Sequence, residues 1–388
     1  MRLAVLATAV LWLGWRAWVD GSALLRVQPL GIDFMPMWAA AGQAFSHPER
    51  VYDFHALTQV QRPLLAGFHG LRPFVYPPTA LLVFAPFALA PFGVANALWT
   101  AASLALLVWV MAPRLTSLRT PLLIAMAVSP ASALVMLTGQ ATFVIAALAV
   151  AGLFALKERP ILAGVLFGLA GAIKPPALVL LPLALIAARQ WRALASAAAS
   201  AALAAVASLA VFGPQVWAEW LAAMPRFETL IMTTPPLWRG MITPTGLGLW
   251  FGFTPDQLGP WRFAFAAGGA AIAWHVFRST EDAPRRLTAL LGGALFVSPY
   301  AMHYDAALIA PAAALMLSQR LAPGAWIAAL SASALVCCAA IPHWGAAAVT
   351  AFVLLVSLVS EARFAGSLRI PSLPQRDDRA QAAPASGV

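Results

Sequence analysis

Of the 388 residues, 62% are hydrophobic and 10% charged, where a soluble domain carries roughly 25% charged residues, so a water-facing surface over most of the chain is excluded. Lipid tolerates only helices or closed barrels, and long apolar runs in place of short alternating ones exclude the barrel, leaving an all-α polytopic membrane protein. The net charge of +10 sits on arginines placed singly or in pairs between apolar runs, with no basic stripe, so it marks membrane orientation and not a nucleic-acid partner.

The chain opens on Met1-Arg2 followed by LAVLATAVLWLGWRAWV. Arg16 interrupts the end of this run and no small-x-small cleavage site follows, so an uncleaved first span with Arg2 inside is expected. The first outer loop, 20–78, contains the longest polar exception in the first two-thirds of the chain, residues 31–78. It carries Asp33, Glu49, Asp53, His47, His55, His69 and the run Phe74-Val75-Tyr76-Pro77-Pro78. Its halves, 33–45 and 53–68, show helical spacing of apolar residues and are expected to lie along the outer interface.

Further spans are expected at 94–111, 121–137, 142–156, 161–173, 177–188, 194–212, 261–277, 287–297, 304–317, 324–340 and 346–359, about twelve with the first. The run 79–90 is ambiguous between a crossing and a dip that returns. With the amino terminus inside, the inner loops hold Arg114 and Arg119, Lys157 and Arg159, Arg189 and Arg192, then Arg278, Arg285 and Arg286, then Arg320 and the tail. Every one is basic, as the orientation rule demands, and a full crossing at 79–90 would invert the bias. Both termini are therefore expected to be cytoplasmic, with a polar, low-complexity and disordered tail at 363–388. Cys337 and Cys338 are adjacent in an apolar run and give neither a disulfide framework nor metal spacing.

The same topology gathers the remaining polar breaks on the outer face: 31–78, Thr138-Gly139-Gln140, Lys174-Pro175-Pro176, the long loop 213–260, and 298–305. Asp33 follows the first span; a partly desolvated carboxylate is a usable base, and the competing reading is a helix N-cap or a solvated loop residue. Lys174 ends the apolar stretch LAGVLFGLAGAIK before two prolines that must break the helix. A cation at the tip of a broken helix pair suits an anionic group; the alternative is a lysine reaching for the interface. In Ser298-Pro299-Tyr300-Ala301-Met302-His303-Tyr304-Asp305, His303 and Asp305 could hold a phosphate, orient one another or transfer a proton. Two residues apart, they would not share a helix face, and an interfacial polar turn explains them equally. Gln140 could bind hydroxyls or cap a helix. Pro77 and Pro78 suit a first helical turn, and Tyr76 an aromatic belt. No Walker loop, GxSxG, HExxH or CxxC occurs.

The order of these elements, an aspartate after the first span, a VYD element, YPP, GQ, a Lys-Pro break and SP…HYD, resembles glycosyltransferase family 87, the polytopic α-mannosyltransferase group, from about Asp33 to Asp305. The resemblance implies a GT-C type transmembrane domain over 1–362 with its active site on the outer face of the cell membrane. It implies transfer of a hexose, commonly mannose, with inversion, from a polyprenyl-phosphate donor to an acceptor hydroxyl on a glycolipid or glycan. Asp33 matches the family's catalytic aspartate and would be the general base. Lys174 and His303 match motif positions that could contact the donor phosphate; Gln140 and Tyr76 match motif positions to which the resemblance assigns no role, and with Asp305 they are expected to bind substrate. No metal and no cofactor beyond the lipid-linked donor is expected. The sequence departs from the family pattern at Met37, at Ser46-His47-Pro48-Glu49-Arg50 before VYD, and at Tyr300-Ala301-Met302, where no tryptophan stands.

The alternative is a polytopic transporter or flippase for a sugar or lipid-linked anion, since broken helices and a buried cation also suit alternating access. It predicts internal repeats, and no convincing repeat is visible in the sequence.

Overall fold

Proline and glycine punctuate this chain, and the helices start and stop where they stand. The computed structural model describes residues 28–65, 70–238, 240–319 and 345–358, together with Trp15 and Val19. The expected first span, the span at 324–340 with Cys337 and Cys338, His69, Arg320 and the tail lie outside the described residues. Among the described residues every regular element is helical, with one isolated antiparallel bridge between Met241 and Met302.

The outer stretch folds into two short helices, α1 (Phe34–Gln43) and α2 (Phe54–Gln61). Asp53 caps α2, its carboxylate accepting from the backbone N–H groups of His55 and Ala56 at 2.9 Å each. It is a structural residue. Pro77 and Pro78 open α3 (Pro78–Phe84), as their fixed φ and missing N–H favour. A 3-10 turn, Ala85–Leu89, follows and ends it. Twelve residues fall short of the ~20 that a crossing needs, which accords with a dip at 79–90.

Next come α4 (Phe92–Met111), α5 (Arg119–Ala127), α6 (Pro130–Thr138), α7 (Thr142–Ala155), α8 (Pro160–Ile173) and α9 (Leu181–Ala187). The span expected at 121–137 is broken: α5 and α6 meet at 54° across Val128-Ser129, with Ser129 capping α6. At 1.5 Å per residue, α7 and α8 are each about 21 Å long, less than the ~30 Å hydrocarbon core. A site at one end of them therefore lies below the membrane surface if the other end reaches it.

The longest element, α10 (Trp191–Met232), packs along α8. Gly164 and Gly168 permit the approach: a Cβ on either would fall within 2.5 Å of the Ala193 or Ala197 carbonyl oxygen, the small-residue packing of membrane helices. The sequence expectation of a loop from 213 is corrected here. Gly213 takes a left-handed φ of 83° and Pro214 restarts the helix, so the chain bends but continues as helix to Met232.

The rest of that expected loop is also largely helical, with a turn at Pro235–Trp238 and α11 (Pro244–Trp250). The remaining described elements are α12 (Pro255–Ser279), α13 (Ala283–Leu287), a π turn at Thr288–Gly292, α14 (Gly293–Val297), a 3-10 turn at His303–Leu308, α15 (Ala310–Ser318) and α16 (Gly345–Leu358).

By length and composition, two described helices could each cross a membrane, Phe92–Arg114 and Trp191–Met232, and the bent α5–α6 pair makes a third. Of the other expected spans within the described residues, 261–277 lies in the 25-residue α12, which is long enough but not apolar enough to count, and the rest correspond to shorter or broken helices.

Candidate active site

Asp33 is held by backbone, not by its own side chain. Gly31, at φ 75°, donates its N–H to the Leu137 carbonyl at 2.8 Å, and the Asp33 N–H donates to Thr138 at 2.9 Å. This docks the entry to α1 on the end of α6. Gly139 closes α6 at φ 76°, and a Cβ there would lie 2.6 Å from that of Phe34. Phe34 in turn stacks on Trp99 at 5.9 Å, whose indole N–H donates to the Gly139 carbonyl at 3.0 Å. Asp33 occupies the N-cap position of α1, yet its side chain makes no capping bond.

The carboxylate turns instead to Arg72, whose Nη2 donates to Oδ1 at 2.9 Å. The two side chains are 19% and 15% exposed, so this pair is far less screened than a surface one. Arg72 is itself fixed from the α2 side: its N–H donates to the buried Thr58 hydroxyl, and its carbonyl accepts from Gln61 Nε2, both at 2.9 Å.

Tyr76 ends a ladder of rings. It stacks on Phe74 at 5.9 Å, and its carbonyl accepts from the Tyr52 hydroxyl at 2.7 Å. Its own hydroxyl donates to Gln140 Oε1 at 2.7 Å. Burial, reinforced by the charges of Asp305 and Asp33, pushes the Tyr76 phenol well above its ordinary pKa, so it stays a neutral donor. Gln140 is buried; its backbone N–H donates to the Val135 carbonyl at the end of α6 at 3.3 Å, which leaves its side chain to Tyr76.

On the other side of Gln140, Lys174 stands at the end of α8 and forms an ion pair with Asp305 Oδ1. Asp305 is fully engaged: Oδ1 also meets the Thr142 hydroxyl at 3.4 Å, and Oδ2 accepts from the Met302 N–H at 3.2 Å. The Lys174 ammonium lies 5.7 Å from the centre of the Tyr304 ring. Lys174 is thus not the unpaired cation that its sequence position suggests.

His303 faces away from Asp305, as two-residue spacing requires. Its N–H donates to the Gly240 carbonyl at 2.7 Å, and Ile242 donates to Ala301 at 2.8 Å, so a two-rung ladder joins 240–242 to the SP…HYD break. Its Nδ1 is buried with no hydrogen-bond partner among the described residues. Burial holds the imidazole below its ordinary pKa, against the smaller upward pulls of Asp33 and Asp305. It is a neutral group here, not a standing cation.

Two adjoining cavities gather these residues. One, about 350 Å³, is bordered by Asp33, Arg72, Tyr76, Gln140, Gly240 and His303. The other, about 240 Å³, is mostly apolar, walled by Trp220, Met224, Phe227 and Pro176, with Lys174 and Asp305 in its lining. Tyr76, Gln140, Tyr304, Val75, Phe227 and Met302 border both. All six candidate residues therefore converge on one composite cavity: Asp33 and His303 on the polar side, Lys174 and Asp305 on the apolar side, Tyr76 and Gln140 between. The bend at Gly213 matters here, because it carries the Trp220–Phe227 face over the cavity.

A sequence model of glycosyltransferase family 87 matches residues 74–299, more than half of the chain. The chain belongs to this family. It is a membrane glycosyltransferase, as the family and the apolar helices together imply. No curated protein and no solved structure matches the chain. The matched range includes Tyr76, Gln140 and Lys174; Asp33 and Arg72 precede it, and His303 and Asp305 follow it.

Sequence reasoning missed Arg72. The available signal is its place in the expected outer loop, where an arginine runs against the basic bias expected of inner loops and calls for a local partner. Glu49 pairs with His47 at 3.3 Å in an exposed turn, away from the cavity.

Proposed function

We propose that this family 87 glycosyltransferase is a GT-C type, inverting enzyme that moves a hexose, mannose in the first instance, from a polyprenyl phosphate to an acceptor hydroxyl. The observation that carries this reading is the convergence of Asp33, Arg72 and His303 with Lys174 and Asp305 on one cavity that has a polar and an apolar half.

Inverting transfer needs a base on the acceptor side and stabilisation of charge at the leaving phosphate on the opposite side. Asp33 supplies the base. Arg72 holds Oδ1, and Oδ2 has no partner among the described residues, so it is the oxygen that takes the acceptor proton. As the acceptor oxygen bonds to the anomeric carbon, the carbon–oxygen bond to phosphate breaks and its electron pair leaves with the phosphate. Lys174 meets that developing charge, shared between Asp305 and the phosphate. His303 contributes a hydrogen bond from a neutral ring. The apolar half, under Trp220, Met224 and Phe227, receives the first isoprene units. Tyr76 and Gln140, locked to each other, set the boundary at which the sugar sits.

The proposed topology has about twelve spans, both termini cytoplasmic and the cavity on the outer side, where lipid-linked donors replace nucleotide sugars. Its support is the direction of α7 and α8. Both have one end at the cavity and the other at Lys157 and Arg159, on the side expected to be cytoplasmic.

The test is purified protein with synthetic polyprenyl-phosphate mannose and a panel of glycolipid acceptors. Transfer that disappears in Asp33→Asn, in a variant that is still expressed and folded, supports the reading. Retained turnover in that variant removes Asp33 as the base. Donor movement across proteoliposomes without sugar transfer would favour a transporter.

A further inference from the structure

At the ends of α4, α7 and α8 remote from the active site lies a separate cavity of about 790 Å³. Three arginines, Arg114, Arg119 and Arg159, border it, with Glu158 as the one carboxylate of its lining. Arg114 closes the end of α4 by donating to the Val110 carbonyl, and its guanidinium lies 5.1 Å from the centre of the Phe154 ring. Its Nε is buried without a hydrogen-bond partner among the described residues. Arg119 and Arg159 are exposed, and their side chains make no ion pair or hydrogen bond among the described residues. Three cations against one carboxylate leave the lining with a net positive charge that favours an anion.

The cavity is preformed. Thr116 and Ser117 both donate their hydroxyls to the Ser318 carbonyl, at 2.7 and 2.5 Å, and tie the loop between Arg114 and Arg119 to the end of α15. Leu118 adopts a left-handed φ of 52° in that loop, a conformation that a leucine keeps only where its surroundings fix it.

What distinguishes this cavity from a simple anion site is its other half. Val110, Ala151 and Leu166 line it, Leu162 and Phe154 are 43% and 40% exposed, and Trp109 beside them is 74% exposed. A soluble anion would meet the arginines and leave these surfaces wet. A tryptophan so exposed at the end of a membrane helix belongs at the lipid–water interface.

We propose that this cavity binds the phosphodiester headgroup of an anionic phospholipid, with Arg114, Arg119 and Arg159 on the phosphate and an acyl chain along Phe154 and Leu162. The site is separate from the transferase cavity, since α7 and α8 put about 21 Å between their ends. It does not depend on the reaction catalysed.

The experiment is native mass spectrometry of the full chain released from micelles containing phosphatidylglycerol and phosphatidylcholine in equal amounts. Phosphatidylglycerol is expected to be retained preferentially. Arg119→Gln with Arg159→Gln should weaken that retention about 30-fold, at the strength of one basic residue per anionic-surface contact. Arg189→Gln with Arg192→Gln removes the same charge from a loop that does not line the cavity, and should leave retention unchanged. Should the first double variant fail to fold, Leu162→Glu at the cavity mouth gives the same reading by repulsion. Equal loss in the control pair, or equal retention of the two lipids, would overturn the proposal. So would displacement of the lipid by an equal concentration of glycerol 3-phosphate, which would make this a phosphate site with no need for a lipid.

Discussion

The two halves of the candidate active-site cavity each hold one carboxylate paired with one cation, and they differ in how the pair is engaged. In the apolar half Asp305 is spent: Lys174, Thr142 and the Met302 N–H occupy both of its oxygens. In the polar half Asp33 meets Arg72 through Oδ1 alone. A carboxylate saturated with donors organises its surroundings; one with an open oxygen can accept a proton from a ligand. The difference favours Asp33 as the base and Asp305 as the residue that orients Lys174, although the two are equally polar in sequence.

The sharpest way to break this comparison is to neutralise each carboxylate in turn. Asp33→Asn should lower turnover by about 10²–10⁴-fold, the usual contribution of a positioned base, and should also lower the melting temperature, because Arg72 is left part-buried without its carboxylate. Asp305→Asn should cost about 3 kcal/mol of stability in the same way, because it leaves Lys174 without its buried partner, but its kinetic mark should be a raised donor KM. If the two variants exchange these signatures, the assignment of roles is wrong.

Arg72→Lys keeps the charge but loses the planar fork that meets a carboxylate. A drop in kcat of about tenfold with the acceptor KM nearly unchanged is expected, read from steady-state kinetics. A wild-type rate in Arg72→Gln would mean that Asp33 needs no such partner.

The His303 imidazole provides a test by pH. Burial depresses its folded pKa, so below the ordinary imidazole value of about 6.5 the unfolded chain binds more protons than the folded one. The stability it contributes is complete above that value and is lost as pH falls towards the folded pKa, by at most about 1.4 kcal/mol per pH unit. Melting curves from pH 8 to pH 5 should show this decline in the wild type and a shallower one in His303→Gln.

The smallest effect is expected between the halves. Tyr76→Phe removes only the hydroxyl that Gln140 accepts, worth about 1 kcal/mol. Its mark should be a change of acceptor preference greater than the change in stability.

The breaks in this chain were written in its residues. Pro77-Pro78 starts a helix, Lys174-Pro175-Pro176 ends one, and the spacing of His303 and Asp305 sends them to different walls, because proline geometry and helical periodicity are local properties. The membrane class follows as directly, since composition alone rules out a soluble surface. Gly213-Pro214 was harder. Two helix breakers read as the start of a loop, but the left-handed glycine only bends α10, and the helix continues to wall the cavity.

What sequence could not supply was partnership. Nothing local to Arg72 states that it meets a carboxylate 39 positions earlier, or that Lys174 is neutralised from 131 positions away. Candidate residues are found by their own chemistry, whereas their charge state and open valences depend on which neighbours the packing of distant helices brings. Asp33 was therefore legible as a candidate from its position after an apolar run. Only the fold, in which Asp33 keeps one oxygen open among the described residues while both of Asp305's are engaged, distinguishes the two carboxylates.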